Sequence, residues 1–237
     1  MDVKVGCCGF PRSKGEYYSR FKVVEIQKTF YNPPKVETAM GWREGAPDDL
    51  EFTLKAWQLI THEPKSPTYK KARVEIPEDK AGCYGSFRPT DEVFGAWART
   101  IEIAEALRAK IIVFQCPASF KPTPENKDNM RSFFGAIKRE GLTFAWEPRG
   151  KWRDEEIKEL CDELNLIHIV DPFTRKMVYG RFNYFRLHGV GGYRYRYTND
   201  DLKRLREMCG GRDMSYCMFN NVYMYDDALR FKDLLGQ

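Results

Sequence analysis

The chain has 237 residues, 42% of them hydrophobic and 31% charged, a balance that excludes a disordered chain, a collagen-like repeat and a disulfide-stapled miniprotein. Against 34 Asp and Glu stand 39 Lys and Arg, so the net charge is +5: anionic partners are permitted, but a strongly basic nucleic-acid module is not indicated. The seven cysteines are odd in number and lie mostly in apolar runs rather than CxxC pairs, which points to reduced, buried thiols. No apolar stretch approaches the ~20 residues of a membrane span, and no basic leader with a small-residue cleavage site opens the chain. A cytoplasmic protein without membrane contact is expected.

In chain order, short apolar runs bounded by turn residues predict eight strands, over 3–8, 22–27, 51–55, 111–115, 143–147, 167–171, 184–188 and 216–220. Helical patterns separate most of them. One opens after Thr90, with Asp91 and Glu92 in its first turn and Val93, Trp97, Ile101 and Ala104 on one face. Thr123-Pro124-Glu125 opens a second, and 154–165, 199–209 and 226–235 read as three more. The segment 58–89 is long and rich in Pro, Lys and Gly, as expected of a lid-like loop. By contrast, 172–183 is too short for a helix with its loops.

Strands alternating with helices call for parallel pairing through right-handed crossovers, in a closed barrel or an open sheet. Side-chain parity separates the two. One parity is almost wholly apolar: Val24 and Ile26, Phe52 and Leu54, Ile112 and Phe114, Phe144 and Trp146, Phe185 and Leu187, Cys217 and Phe219. The other starts small or apolar and ends polar: Val23-x-Glu25-x-Gln27, Thr53-x-Lys55, Val113-x-Gln115, Ala145-x-Glu147, Ile169-x-Asp171, Arg186-x-His188, Met218-x-Asn220. A barrel interior with a packed lower layer and a polar C-terminal mouth produces this pattern, whereas an open sheet would bury each polar residue under a helix. The expected fold is a single-domain α/β TIM-type (β/α)8 barrel over 1–237.

In that barrel the mouth gathers candidate catalytic residues Glu25, Glu147, Asp171 and His188, with Lys55, Gln27, Gln115, Arg149, Arg186 and Asn220 as substrate-binding candidates. His188 is the best candidate for proton transfer, and His62, in the predicted lid, could close onto a substrate. His168 falls on the helix-facing parity and reads as structural. After His188, Gly189, Gly191 and Gly192 suit a phosphate-binding loop, and Tyr193-Arg194-Tyr195-Arg196-Tyr197 offers stacking and phosphate contacts to a nucleic acid. Lys70, Lys71 and Arg73 add charge to the lid. The acids and His188 are ligands a divalent ion could accept, yet no HExxH or His-rich spacing occurs and the neighbouring cations compete for the carboxylates, so no cofactor is predicted.

These positions also carry a resemblance. Val24-Glu25-Ile26-Gln27 leading to Thr29-Phe30-Tyr31 and Pro34, Phe52-Thr53-Leu54-Lys55 before Thr61-His62, Phe114-Gln115-Cys116-Pro117, Glu147-Pro148-Arg149 before Trp152, Asp171-Pro172 and Arg186-Leu187-His188-Gly189 together resemble the YecE-like family, domain of unknown function family seventy-two. The resemblance runs from about Val3 to Leu235 and implies a TIM-type barrel with a polar pocket at the mouth, but no activity. Gln27 stands where that family usually has Asn, and Cys7-Cys8-Gly9-Phe10 replaces a Thr-Ser-Gly-Trp-like opening. The family's likeness to metal-dependent phosphodiester-cleaving barrels adds a nucleic-acid reading. Two functions follow as expectations: a hydrolase or lyase acting on a phosphorylated or otherwise anionic substrate, or a non-catalytic nucleic-acid-binding protein using the Tyr-Arg loop and basic lid.

Overall fold

The computed structural model describes residues 2–237. Eight parallel strands pair in sequential order and close on themselves: β1 (Asp2–Cys8), β2 (Val23–Ile26), β3 (Glu51–Lys55), β4 (Ile111–Gln115), β5 (Thr143–Glu147), β6 (Ile167–Val170), β7 (Asn183–Leu187) and β8 (Met214–Phe219). Closure is made by β1 against β8, in register from Asp2 opposite Met214 to Cys7 opposite Phe219. The fold is a TIM-type barrel.

The parity rule divides the core. Val24, Ile26, Phe52, Leu54, Ile112, Phe114, Phe144, Trp146, Phe185, Leu187, Cys217 and Phe219 all belong to one apolar cluster between strands and helices. Val23, Ile111, Val113, Ala145, Ile169, Tyr184, Tyr216 and Met218 form a second cluster inside the barrel. Below it, toward the N-terminal ends, Lys4 Nζ reaches Glu51 Oε2 at 2.6 Å and Tyr216 donates to Glu51 Oε1 at 2.6 Å.

Four helices precede the long crossover: α1 (Lys14–Tyr18), α2 (Lys28–Tyr31), α3 (Val36–Glu44) and α4 (Gln58–Thr61). None was expected from the sequence. Three are pieces of four or five residues, with too few turns to show a period, and α3 buries Ala39 alone, which leaves no apolar stripe to read. The five larger helices fall where the pattern placed them: α5 (Asp91–Ala106), α6 (Pro124–Ala136), α7 (Asp154–Glu163), α8 (Asn199–Met208) and α9 (Met224–Leu235). Several of their starts are chemically marked. Thr90 caps α5 by accepting from the Val93 amide, Thr123 caps α6 through the Asn126 amide, and Thr198 and Asp201 cap α8 reciprocally.

Segment 58–89 is folded down rather than open: α4 is followed by two 3-10 turns, Pro67–Lys71 and Glu78–Cys83. It is pinned by Tyr69 Oη donating to the His62 carbonyl at 2.8 Å, by Asn32 bonding Lys71 and Arg73, and by the amides of Gly85 and Phe87 donating to Leu59 and Ile60. The connection from β6 to β7 contains no helix, as its length required. All seven cysteines are free thiols, with Cys83 partly exposed and the other six buried. No helix among the described residues is long and apolar enough to cross a membrane.

Candidate active site at the barrel mouth

The parity that fills the barrel with apolar side chains also delivers polar groups to its C-terminal end. Gln27, Asp171, His188 and Asn220 were expected inside strands but stand one residue beyond them, where the ladder gives way to loop. That extra step lifts them above Glu25, Lys55, Gln115, Glu147 and Arg186.

Arg186 is the hub of the lower tier. Its side chain has 0% exposure, donates through Nη1 to Gln115 Oε1 at 3.1 Å and to Glu147 Oε2, and through Nη2 to Glu25 Oε1 at 2.9 Å. Glu25 is likewise sealed and accepts from Tyr184 Oη at 2.9 Å and from Gln27 Nε2. Tyr184 Oη in turn lies 3.0 Å from Thr53 Oγ1. Burial opposes ionisation of Glu147, but Arg186 and Arg149 outweigh it and hold the carboxyl well below the usual carboxylate range. Burial opposes the Arg186 charge in the same way, and Glu147 and Glu25 restore it.

This arrangement corrects the expected roles of four residues. Arg186 and Gln115 were expected to touch substrate, but the guanidinium is fully enclosed and bound to protein acceptors on both sides, with Gln115 as one of them. Glu25 was expected to move protons, yet it is sealed beneath the mouth. Glu147 is a poor base because two arginines stabilise its charge. Among the described residues no group of three or more His, Cys, Asp or Glu side chains converges as a metal shell, and here Arg186 stands between the two buried carboxylates.

The upper tier is open. Arg149 donates Nε to Glu147 Oε1 at 3.0 Å and brings Nη2 within 3.0 Å of His188 Nε2, while its side chain keeps 36% exposure. His188 Nε2 also lies 3.3 Å from Glu147 Oε1, and Asn220 Nδ2 lies 3.2 Å from Nδ1; an amide nitrogen only donates, so Nδ1 accepts and the ring proton sits on Nε2, facing Glu147. Asp171 fixes the turn by accepting the His188 amide at 2.9 Å and the Phe173 amide at 3.0 Å, and burial raises its pKa. Arg149, Asp171, His188, Gly189, Gly191, Gly192 and Tyr193 line a cleft of about 630 Å³.

The glycine loop borders this cleft, but its amides are largely engaged. Gly189 N–H donates to Tyr197 Oη at 2.8 Å, and Gly192 N–H to the Gly189 carbonyl, so neither is free for phosphate as expected. Gly189 is required there: its φ is +89°, and a Cβ would stand 2.3 Å from the Gly192 carbonyl oxygen. The tyrosines divide too. Tyr197 is buried and Tyr195 bonds Asp201, leaving Tyr193 as the exposed ring of the three. On the lid, Lys70, Lys71 and Arg73 are all exposed.

Across the mouth, Lys55 stands apart from these pairs. Its residue exposure is 5%, and its Nζ lies 3.4 Å from the centroid of Phe30, with no hydrogen bond or ion pair to any described residue. Burial pushes its pKa down to about 7; Arg186 and Arg149 add to the effect, while Glu147 and Glu25 oppose it. His62 packs edge-on against the same Phe30 ring at 5.0 Å and bonds Thr61 Oγ1 through Nδ1 at 2.8 Å. Burial, then Lys55 and Arg149, lower its pKa to about 3, so the ring is neutral at physiological pH. His168 is buried, its Nδ1 accepting the Val178 amide.

Tyr184, Cys8 and Phe30 were not singled out as site residues in the sequence. Tyr184 and Cys8, whose Sγ lies 3.5 Å from Glu25 Oε1, share the interior parity with Glu25, so the same alternation could have found them. Phe30 comes from the four-residue α2 and had no such signal.

The sequence matches the family model described as Protein of unknown function DUF72 over residues 13–237. The chain belongs to the DUF72 family. Its barrel is similar to the crystal structure of a DUF72 family protein from Thermotoga maritima MSB8, at 22% identity, with 100% of each chain covered and a TM-score of 0.72. A DUF72 family protein from Enterococcus faecalis V583 gives 19% identity, 100% coverage of this chain and 98% of the other, and a TM-score of 0.71. Beyond the DUF72 proteins, endonuclease IV from Thermus thermophilus shares the fold at 15% identity, 98% coverage of each chain and a TM-score of 0.58. No curated protein matches the sequence.

Proposed function

We propose that this DUF72 protein is an enzyme, a lyase or hydrolase, that transfers protons on a small anionic substrate held at the C-terminal mouth of the barrel. One observation carries the reading: Lys55 is an enclosed amine without a counterion, set beside carboxylates already neutralised by arginines. Its contact with the Phe30 face is a cation–π interaction, weaker than a buried counterion and compatible with loss of the proton. An amine whose pKa is near 7 exchanges protons readily at neutral pH.

The remaining groups take complementary roles. Arg149, half-buried and open to the cleft, holds the anionic end of the substrate. His188, bridging Arg149 and Asn220, relays protons between substrate and solvent. Glu25, Glu147 and Gln115 position Arg186, whose buried charge helps keep Lys55 neutral. The inward turn of Tyr195 and Tyr197 removes most of the stacking surface that nucleic-acid binding would use.

Calorimetric titration with small phosphorylated and carboxylated compounds tests the reading. Binding that weakens about tenfold or more in Arg149→Met and survives in Lys55→Met, with turnover lost in Lys55→Met, is expected. Ligand binding indifferent to Arg149, or turnover that persists without Lys55, contradicts it.

A further inference from the structure

The stem of Lys55 is enclosed by the barrel and by Phe30, and the residue keeps 5% exposure at the C-terminal end of β3. The amine is therefore held in one place and carries no ion pair, at the strand end that faces the mouth. A nucleophilic lysine needs a desolvated nitrogen that gives up its proton near neutral pH, a neighbouring cation and a route for the electrophile. Arg186 and Arg149 supply the cations, and their nearby charges reinforce the effect of burial on the amine.

We infer that Lys55 is a covalent nucleophile, and that the substrate is an aldehyde or ketone bearing a phosphate or carboxylate group. This rests on the proposed function and names its substrate class. The Nζ lone pair adds to the carbonyl carbon while the C=O π pair moves to oxygen, which takes up a proton to give a carbinolamine. Loss of the remaining N–H proton with the hydroxyl, as water, leaves an imine; amine and carbonyl are converted to imine and water with no oxidant or reductant. The imine then withdraws electrons from the adjacent carbon, so a C–H or C–C bond there can be broken. Arg149 holds the anionic group, and the neutral His62 ring beside Phe30 adds no repulsion to the iminium.

Pyridoxal 5′-phosphate, used purely as an anionic aldehyde probe, with borohydride reduction and peptide mass mapping, tests this. The expected result is one reduced adduct per chain, on Lys55, forming half-maximally near pH 7 and absent from both Lys55→Met and Lys55→Arg. The arginine variant keeps a long cationic stem that cannot form an imine. Arg149→Met should slow labelling by this probe by a larger factor than it slows labelling by uncharged glyceraldehyde, because it removes the anion contact as well as a cation near the amine. Adducts spread over surface lysines and unaltered by Lys55→Met overturn the inference. Competitive acetylation separates it from the broader reading: if Lys55 titrates near pH 7 but traps neither probe, the imine is wrong and proton transfer stands. If Lys55 titrates in the ordinary lysine range, both fall.

Discussion

Arg186 shows how a buried charge can be structural at the centre of a reactive site. Two carboxylates at 0% and 5% exposure share it, so removing the guanidinium takes the ion-pair partner from Glu25 and leaves Glu147 with Arg149. Arg186→Met should cost roughly 3–5 kcal/mol at pH 7, the usual consequence of breaking one side of a buried pair. Part of that loss should be recovered as pH falls and Glu147, whose charge then rests on Arg149, takes up a proton, which urea denaturation at several pH values will show. Lys55 has the opposite linkage. Its folded pKa of about 7 lies below the value of 10.5 for an ordinary lysine, so between those pH values the unfolded chain binds the extra proton. Stability therefore rises with pH across that window, by up to roughly 4–5 kcal/mol from this residue. The same denaturation series on Lys55→Met should show the rise flattened.

Among the elements, the segment after α4 departs most from expectation. A sequence rich in Pro, Lys and Gly reads as an open lid, but its end is latched by Gly85, whose φ of +77° and approach to the His62 backbone leave no room for a side chain. A Cβ there would stand 2.4 Å from the His62 carbonyl carbon. Gly85→Ala should destabilise the protein by at least about 1 kcal/mol and expose 63–84 to limited proteolysis, with faster exchange at the Phe87 amide. If the segment stays as protected as in the wild type, the latch is elsewhere. The barrel itself was legible because period-two alternation survives along its strands, and the mouth residues followed from the same parity. Exposure and pairing were not legible: Arg186 and Arg149 look alike in sequence, and only the closed barrel shows one sealed and the other open. The placement of Phe30 under Lys55 depends on the short α2, which leaves no periodic trace.

For the whole molecule, closure is the condition on which the site depends. Residues from β2, β3, β4, β5 and β7 meet only because β1 joins β8 along six paired positions. Deleting 2–8 would leave two unpaired edges and an opened interior, so the cooperative thermal transition should be lost rather than shifted. Retention of a sharp transition would mean that the remaining strands close without β1. The overall charge of +5 says little about the partner, because the mouth is nearly self-neutralised and Lys55 is the enclosed amine that no carboxylate pairs. The most direct test of the account is therefore the titration of that amine in the intact protein, followed by NMR of the labelled lysine side chains and assigned with Lys55→Arg. A single lysine titrating near pH 7, absent from the variant, is the predicted result; a Lys55 that titrates with the surface lysines near pH 10 would contradict it.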